Sequence, residues 1–214
     1  MTLVERVHGG YVFQRRVRVL SHHIARLLPT DARVLDVGCG DGKIASLIAL
    51  KRPDAVMRGI DVLVRESTHI PVEEFDGQVI PYQDASFDVV LFVDVLHHTT
   101  DPVILLGEAA RVARRAVVIK DHLRHGLLAN ATLRYMDRVG NIRYGVALTY
   151  NYWTKSQWFG AFEAVRLKPD VWMKDLPLYP RPLSWIFGRS LHFLARLEIT
   201  RNLHCASSGR PVPS

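Results

Sequence analysis

Hydrophobic positions in the first half of the chain follow two kinds of spacing. Residues 11–28 carry apolar side chains at three- and four-residue intervals, namely Phe13, Val17, Leu20, Ile24 and Leu27. This spacing predicts an amphipathic helix that ends before Pro29. From Val34 onwards, short aliphatic and β-branched runs predict strands, and helical spacing returns between them.

Five such runs predict strands before residue 122. They cover residues 34–37, 56–62, 70–76, 88–94 and 117–119. The fourth run is almost wholly apolar, which is typical of a central parallel strand covered on both faces. Pro71 restricts the third run to an edge or to a strand start. Because strands and helices alternate, we expect an α/β fold with a mostly parallel sheet.

Glycines and carboxylates follow several of these predicted strands. In open α/β sheets, ligands bind beyond the carboxyl ends of the strands. We therefore expect one crevice to collect Gly38, Asp61, Asp76, Asp94 and Asp121.

The first predicted strand leads into a loop with glycines at positions 38, 40 and 42. Glycines let the backbone bend sharply and approach a ligand that a Cβ atom would push away. A dinucleotide-binding loop has a third glycine where this chain has Lys43. The loop therefore indicates a nucleotide-type ligand, and Lys43 argues against NAD.

Four ordered motifs resemble those of the class I S-adenosylmethionine-dependent methyltransferases, in particular the small "type 11"-like domains. The glycine loop matches the family's Asp-x-Gly-x-Gly-x-Gly motif, and Gly59-Ile60-Asp61 matches the end of its second strand. Residues 80–88 resemble the approach to the fourth strand. Residues 88–98, followed by Asp101-Pro102, resemble that strand and its helix. The match covers residues 30–122.

The resemblance implies a Rossmann-like, doubly wound, mostly parallel seven-stranded sheet with helices on both faces. It implies one methyltransferase domain over residues 1–214: an N-terminal helix at 11–28, a cofactor-binding core at 30–122, substrate-side helices and last strands at 123–200, and a flexible tail at 203–214. The last strand, 191–199, is expected to be antiparallel. S-adenosylmethionine is the implied cofactor, and the implied contacts are Asp36, Gly38, Cys39, Gly40, Asp61, Val62, Asp76, Gly77 and Asp94.

The chain after residue 122 carries the expected acceptor side. Residues 127–139 predict a helix ended by Gly140-Asn141, and Thr154 is the expected N-cap of another helix. All four tryptophans lie in this last third of the chain. The candidate substrate residues are Tyr11, Tyr152 and Trp153, with Arg15 or Arg16 beside them; packing against the sheet and within the added elements is the alternative role for these side chains.

Three polar residues near the ends of the fourth and fifth strands are candidates for removing a proton from the acceptor: His98, Asp121 and His122. An unperturbed imidazole titrates close to neutral pH, which suits this role. His98 can equally be a hydrogen-bonded packing residue. A metal site built from these side chains is conceivable, but their spacing does not require one, and we expect none.

Composition adds two constraints. The formal net charge of +7 favours an anionic partner, which includes a phospholipid surface and nucleic acid, while a solvated arginine-rich surface explains it equally well. Only two cysteines occur, and the N-terminus lacks the apolar run of a signal peptide or a transmembrane segment. We expect a cytoplasmic protein, with peripheral membrane contact open to it.

The leading hypothesis is methyl transfer to a small-molecule or lipid-like acceptor. An RNA methyltransferase is the first alternative, but no Asn-Pro-Pro-Tyr type motif follows the fourth strand and the basic residues are scattered. Nucleic acid is therefore not the expected partner. A non-catalytic S-adenosylmethionine-binding protein is the second alternative.

Overall fold

The computed structural model describes residues 8–141 and 149–200. A π-helical turn at His8–Val12 leads into the first α-helix, and a 3-10 turn at Leu96–His98 follows the fourth strand. The helices are α1 (Phe13–Leu27), α2 (Lys43–Lys51), α3 (Pro102–Val112), α4 (Ala129–Asn141), α5 (Lys155–Ala164) and α6 (Ser184–Phe187). The strands are β1 (Arg33–Val37), β2 (Val56–Asp61), β3 (Val72–Glu74), β4 (Phe87–Val93), β5 (Ala113–His122), β6 (Leu167–Met173) and β7 (His192–Ile199).

The seven strands form one sheet in the order β3-β2-β1-β4-β5-β7-β6. The first five pair in parallel, and β7 runs antiparallel between β5 and β6. The expected Rossmann-like, mostly parallel, seven-stranded α/β fold is therefore confirmed, and so is the antiparallel last strand.

Alternate residues of the central strands pack on opposite faces of the sheet. In β4, Val90 and Phe92 join a core that includes α3 and α5, whereas Val89 and Leu91 join the core formed with α1 and α2. This alternation follows from the two-residue repeat of a strand, and burial on both faces explains why β4 is a continuous apolar run. Helices on both faces of the sheet are thus confirmed.

Local signals explain where several helices begin and end. Leu28, before Pro29, is extended and closes α1, as expected of a residue that precedes proline. Asp101 caps α3 by accepting a hydrogen bond from the Val103 amide at 2.9 Å. Thr154 and Gln157 form a capping box at the start of α5.

Four sequence-based expectations need correction. The third strand covers only Val72–Glu74, and β5 is longer than predicted. Helix α4 begins at Ala129, two residues later than predicted, and it includes Gly140 and Asn141, where this described segment ends. Strand β6 was missed because it contains Pro169; it pairs only with β7, and its register shifts at the proline. The expected tail at 203–214 lies outside the described residues.

In the part of the chain that the structure describes, no helix is both long enough and apolar enough to cross a membrane.

Replacing the capping residue of α3 tests how much the cap contributes to stability. Asp101→Ala should lower the free energy of unfolding by about 0.5–2 kcal/mol, because the Val103 amide loses its acceptor. Asp101→Asn keeps an acceptor oxygen and is the matched control, which should change stability much less. Urea denaturation of both variants measures the difference; equal losses would contradict the capping role.

Candidate active site

The glycine loop lies between the carboxyl ends of β1 and β2. Gly38, Gly40 and Gly42 all have positive φ angles, at 69°, 60° and 73°. A Cβ atom on Gly38 would approach Val95 to 2.7 Å, and one on Gly42 would approach Ile70 to 2.5 Å. A Cβ atom on Gly40 would meet nothing within 4 Å. The outer two glycines are therefore needed for packing, whereas the middle one leaves open space beside the backbone.

Two buried carboxylates adjoin this loop. Asp61 accepts hydrogen bonds from the Gly40 amide at 2.7 Å and from the Leu63 amide at 3.0 Å. Asp36 is also buried, but its Oδ1 atom has no hydrogen-bond partner among the described residues. Burial, together with the charge of Asp61, raises the pKa of Asp36 to about 8. Asp36 is thus an acceptor without a protein donor, which is expensive to bury unless a ligand supplies one.

The expected adenine-side residues lie beyond the end of β2. Val62 is exposed, and a Cβ atom on Gly77 would approach the Val62 side chain to 3.0 Å. Asp76 is exposed and accepts hydrogen bonds from the amides of Gln78 and Val79, at 2.8 and 2.7 Å. Asp76 therefore fixes its own turn, beside the surface that Val62 and Gly77 share.

Asp94 follows β4 in the left-handed region, with φ at 57°, and forms ion pairs with Arg16 of α1 and Lys120 of β5. Burial opposes its charge, but these two cations hold the pKa of Asp94 well below its usual range. The Lys120 side chain is fully buried, and burial lowers its pKa to about 8. The sequence analysis expects Asp94 to contact the cofactor. In the structure, its ion pair with Arg16 joins α1 to the end of β4.

His97, at the centre of the site, lies between two carboxylates. Its Nδ1 atom is 2.6 Å from Asp121 Oδ1, and its Nε2 atom is 3.3 Å from Asp137 Oδ1. Tyr152 donates its hydroxyl hydrogen bond to the other oxygen of Asp137 at 2.8 Å. Burial opposes the charge of His97, but Asp121 and Asp137 outweigh it and raise the pKa of His97 to about 9. His97 is therefore an imidazolium at neutral pH.

The pKa values of the neighbouring histidines are shifted downwards, so these side chains are neutral at neutral pH. Burial and the charge of His97 lower the pKa of His98, and they lower that of His122 to about 4. Burial and Lys120 lower the pKa of His192 well below its usual range. The Nδ1 atom of His98 has no hydrogen-bond partner among the described residues. His98 is also the least buried of the candidate bases, since Asp121 and His122 are almost inaccessible.

The candidate substrate residues have different surroundings. Tyr11 is exposed at the start of the described chain, whereas Tyr152 is buried in the His97 network. Trp153 is partly buried and packs edge-on against Trp158, with ring centroids 5.0 Å apart. Tyr152 and Trp153 therefore contribute to packing, as the alternative role anticipated.

Sequence reasoning did not single out the partners that make this network. Asp137 reaches His97 from α4, and Lys120 and His192 come from β5 and β7. One usable signal was present, because Asp137 lies one helical turn after Leu133 and both face inwards.

Donor atoms in this network also lie close enough together to hold a metal ion. The two groups are His97, Asp121 and His122, and His97, His98 and Asp137; within each group the donor atoms lie within 4.8 Å. The imidazolium of His97 between two carboxylates accounts for the same arrangement through hydrogen bonds and charge balance, so the geometry does not require a metal.

A titration of His97 tests the charge assignment. Asp121→Asn should lower the pKa of the His97 imidazole from about 9 towards neutrality, as followed by NMR of the ring protons. The raised pKa stabilises the fold below pH 6.5, and this stabilisation is lost as the pH rises through about 9. Between pH 6.5 and about 9, the free energy of unfolding should therefore fall less in Asp121→Asn than in the wild type. Asp84→Asn, on the surface, is the control; an unchanged His97 pKa in Asp121→Asn would refute the assignment.

Comparison with known proteins gives a consistent family. A family model described as a methyltransferase domain matches residues 11–167. The 27-O-demethylrifamycin SV methyltransferase of Amycolatopsis mediterranei is 31% identical over 208 residues, which cover 85% of this chain and 72% of that enzyme. The fatty-acid O-methyltransferase of Mycolicibacterium smegmatis is 37% identical over 91 residues, and the match spans only 33% of that enzyme.

A solved S-adenosylmethionine-dependent methyltransferase of Thermotoga maritima shares the fold. It superposes with a TM-score of 0.63 over 92% of this chain and 98% of that one, at 17% identity. The family model covers well over half of the chain, and the Amycolatopsis enzyme is more than 30% identical across most of it. This chain therefore belongs to the methyltransferase domain family and is a class I S-adenosylmethionine-dependent methyltransferase.

Proposed function

We propose that this enzyme transfers a methyl group to an oxygen atom of a small-molecule or lipid-like acceptor. The observation that carries the proposal is the match to the rifamycin methyltransferase, which covers 85% of this chain. Since the cofactor core ends near residue 122, that match must extend into the acceptor side. Both relatives described above are named for O-linked chemistry on a small molecule or a fatty acid.

The residues of the glycine loop fit the cofactor. Asp36, Gly38, Cys39 and Gly40 are proposed to hold its methionine end, where Asp36 Oδ1 has no donor in the described part of the chain and Gly40 leaves open space. When bound, S-adenosylmethionine supplies an electrophilic methyl group on a positively charged sulfur.

The remaining cofactor contacts follow the end of β2. Asp61 and Val62 are proposed to contact the ribose, and Asp76 with Gly77 the adenine. A carboxylate can accept hydrogen bonds from both ribose hydroxyls at once, which suits Asp61. Asp94 is proposed to border the methionine end while remaining paired with Arg16 and Lys120.

His98 is the proposed general base. An imidazole must be neutral before it can take a proton, and His98 is neutral because burial and the charge of His97 lower its pKa. Its Nδ1 atom is buried and has no hydrogen-bond partner among the described residues, so we propose that an acceptor hydroxyl reaches this atom and bonds to it. The hydroxyl proton would pass to His98, and the acceptor oxygen would take the methyl carbon while the methyl–sulfur bond breaks and leaves a neutral thioether.

Asp121 and His122 are proposed to act through their neighbours. Asp121 accepts hydrogen bonds from the amides of Leu96 and His122, at 3.0 and 2.6 Å, as well as from His97. Its carboxylate is therefore fully occupied by the protein. It holds the charge on His97, and that charge keeps both His98 and His122 neutral.

Proton release should accompany cofactor binding. With a pKa of about 8, Asp36 is mostly protonated at pH 7 in the free enzyme. A bound cation beside it lowers that pKa, so binding should release up to about one proton per site. Calorimetry at pH 7 in buffers of different ionisation enthalpy measures this release. Asp36→Asn should abolish the buffer dependence, and a buffer-independent heat for the wild type would contradict the Asp36 contact.

Turnover of a His98 variant tests the proposed reaction. Labelled S-adenosylmethionine is offered with hydroxyl-bearing and carboxyl-bearing lipids and small molecules, and the methylated product is identified by mass spectrometry. His98→Gln should lower kcat by about a hundredfold or more, because the base is lost, while cofactor affinity is unchanged. The kcat of the wild type should fall as the pH drops through the pKa of His98, which burial and the charge of His97 lower below 6.5. Label found in RNA instead would overturn the proposal, and an unchanged kcat in His98→Gln would remove the base.

A further inference from the structure

A cluster of exposed apolar side chains lies on the acceptor side of the molecule. Leu128, Tyr135 and Ile186 line one shallow groove, together with Ala131, Thr132 and Phe187. Leu127 and Trp185 adjoin these residues in the chain, and they are 91% and 68% exposed. We call Leu127, Leu128, Tyr135, Trp185 and Ile186 the apolar patch. Contiguous apolar surface of this kind marks an interaction site more often than scattered exposed residues do.

The apolar patch shares a helix with the active site. The inner face of α4 buries Leu133 and Asp137, and Asp137 contacts His97. The outer face of the same helix carries Tyr135, whose ring stacks on Phe187 at 6.4 Å between centroids. The patch is therefore one helix thickness from the proposed base.

The backbone at Leu128 is strained, and this strained conformation keeps the Leu128 side chain in solvent. Leu128 has a φ angle of 60°, in the left-handed region that a branched side chain rarely adopts. This conformation immediately precedes α4 and leaves Leu128 74% exposed. Strained backbone that places an apolar side chain in solvent is better explained by binding than by folding.

The charges around the apolar patch have one sign. In residues 124–138 and 181–189, every exposed Lys, Arg, Asp or Glu side chain is an arginine: Arg124, Arg134, Arg138, Arg181 and Arg189. The acidic residue within these segments, Asp137, is buried against His97 and Tyr152. Elsewhere, as at Arg52 with Asp54 and Arg58 with Glu73, surface arginines pair with exposed acids. The two segments that carry the patch thus combine exposed apolar side chains with exposed positive charges only.

We infer that the apolar patch docks the enzyme on an anionic membrane surface, with its leucines and Trp185 inserted at the level of the lipid headgroups. Apolar insertion combined with arginine attraction to anionic lipids is the way in which peripheral helices bind membranes. Arginine side chains also favour this boundary, because their stems are apolar and their heads are charged. The inference rests on the proposed function, since a lipid-like acceptor would partition into the same surface.

Vesicle flotation tests the inference with the whole chain and without any acceptor. Vesicles containing phosphatidylglycerol should carry the enzyme upwards, vesicles of phosphatidylcholine alone should carry much less, and added salt should weaken the binding. The double variant Leu127→Asp/Leu128→Asp should lower the apparent affinity by about tenfold or more. The double variant Arg138→Gln/Arg181→Gln should lower binding to vesicles that contain phosphatidylglycerol and should leave binding to phosphatidylcholine vesicles unchanged.

Leu50→Asp is the matched control, because Leu50 is 76% exposed on α2, outside the apolar patch, and its replacement should leave vesicle binding unchanged. Thermal unfolding and cofactor binding show whether each variant is folded. Equal binding to both vesicle types, or an equal loss in Leu50→Asp, would overturn the inference. So would a dimer in light scattering that the Leu127→Asp/Leu128→Asp variant dissociates, since the patch would then bind a second copy. If the enzyme does not bind vesicles but still transfers a methyl group to a soluble acceptor, the membrane inference is refuted and the proposed function stands.

Discussion

Charge balance among buried and partly buried side chains is the constraint that determines how α1 and α4 pack against the ends of β4 and β5. Three carboxylates, Asp94, Asp121 and Asp137, meet three cations, Arg16, Lys120 and His97. These six groups come from α1, β5, α4 and the residues that follow β4. Removing one partner of a buried ion pair costs about 3–5 kcal/mol, because the remaining charge is left uncompensated. The network therefore fixes how these elements meet, and α1 and α4 cannot move independently of the strand ends.

The same charge balance sets the protonation of the histidines. One imidazolium, His97, is made stable by two carboxylates, and burial together with the charge of His97 keeps His98 and His122 neutral. A site that held three neutral histidines would have no such differentiation. Environment alone thus gives neighbouring side chains of one chemical type distinct roles, which is a common way of assigning acid and base functions.

The geometry of the glycine loop and of the end of β2 could be predicted from the sequence because it is local. Gly38, Gly40 and Gly42 encode their own positive φ angles, and Asp61 comes directly at the end of a strand with a clear apolar pattern. The acceptor side could not, because its contacts join residues far apart in the chain: Arg16 and Asp94 are 78 positions apart, and His97 and Asp137 are 40 apart. Local periodicity contains no information on such pairs. Strand β6 was missed for another reason, since Pro169 is tolerated only because the strand lies at the edge of the sheet.

The position of β7 has a consequence for how the chain is made. Strand β6 pairs with β7 and with no other strand, yet β7 is the later of the two to be synthesised. On the ribosome, the parallel strands β1 to β5 can associate as they emerge, while β6 has to wait without a neighbour until residues 192–199 appear. The insertion of β7 then buries Phe193 against Trp158 and Trp172 and brings His192 next to Lys120. The parallel part of the sheet, β1 to β5, thus forms first in the nascent chain, and the antiparallel part is completed later by a single event.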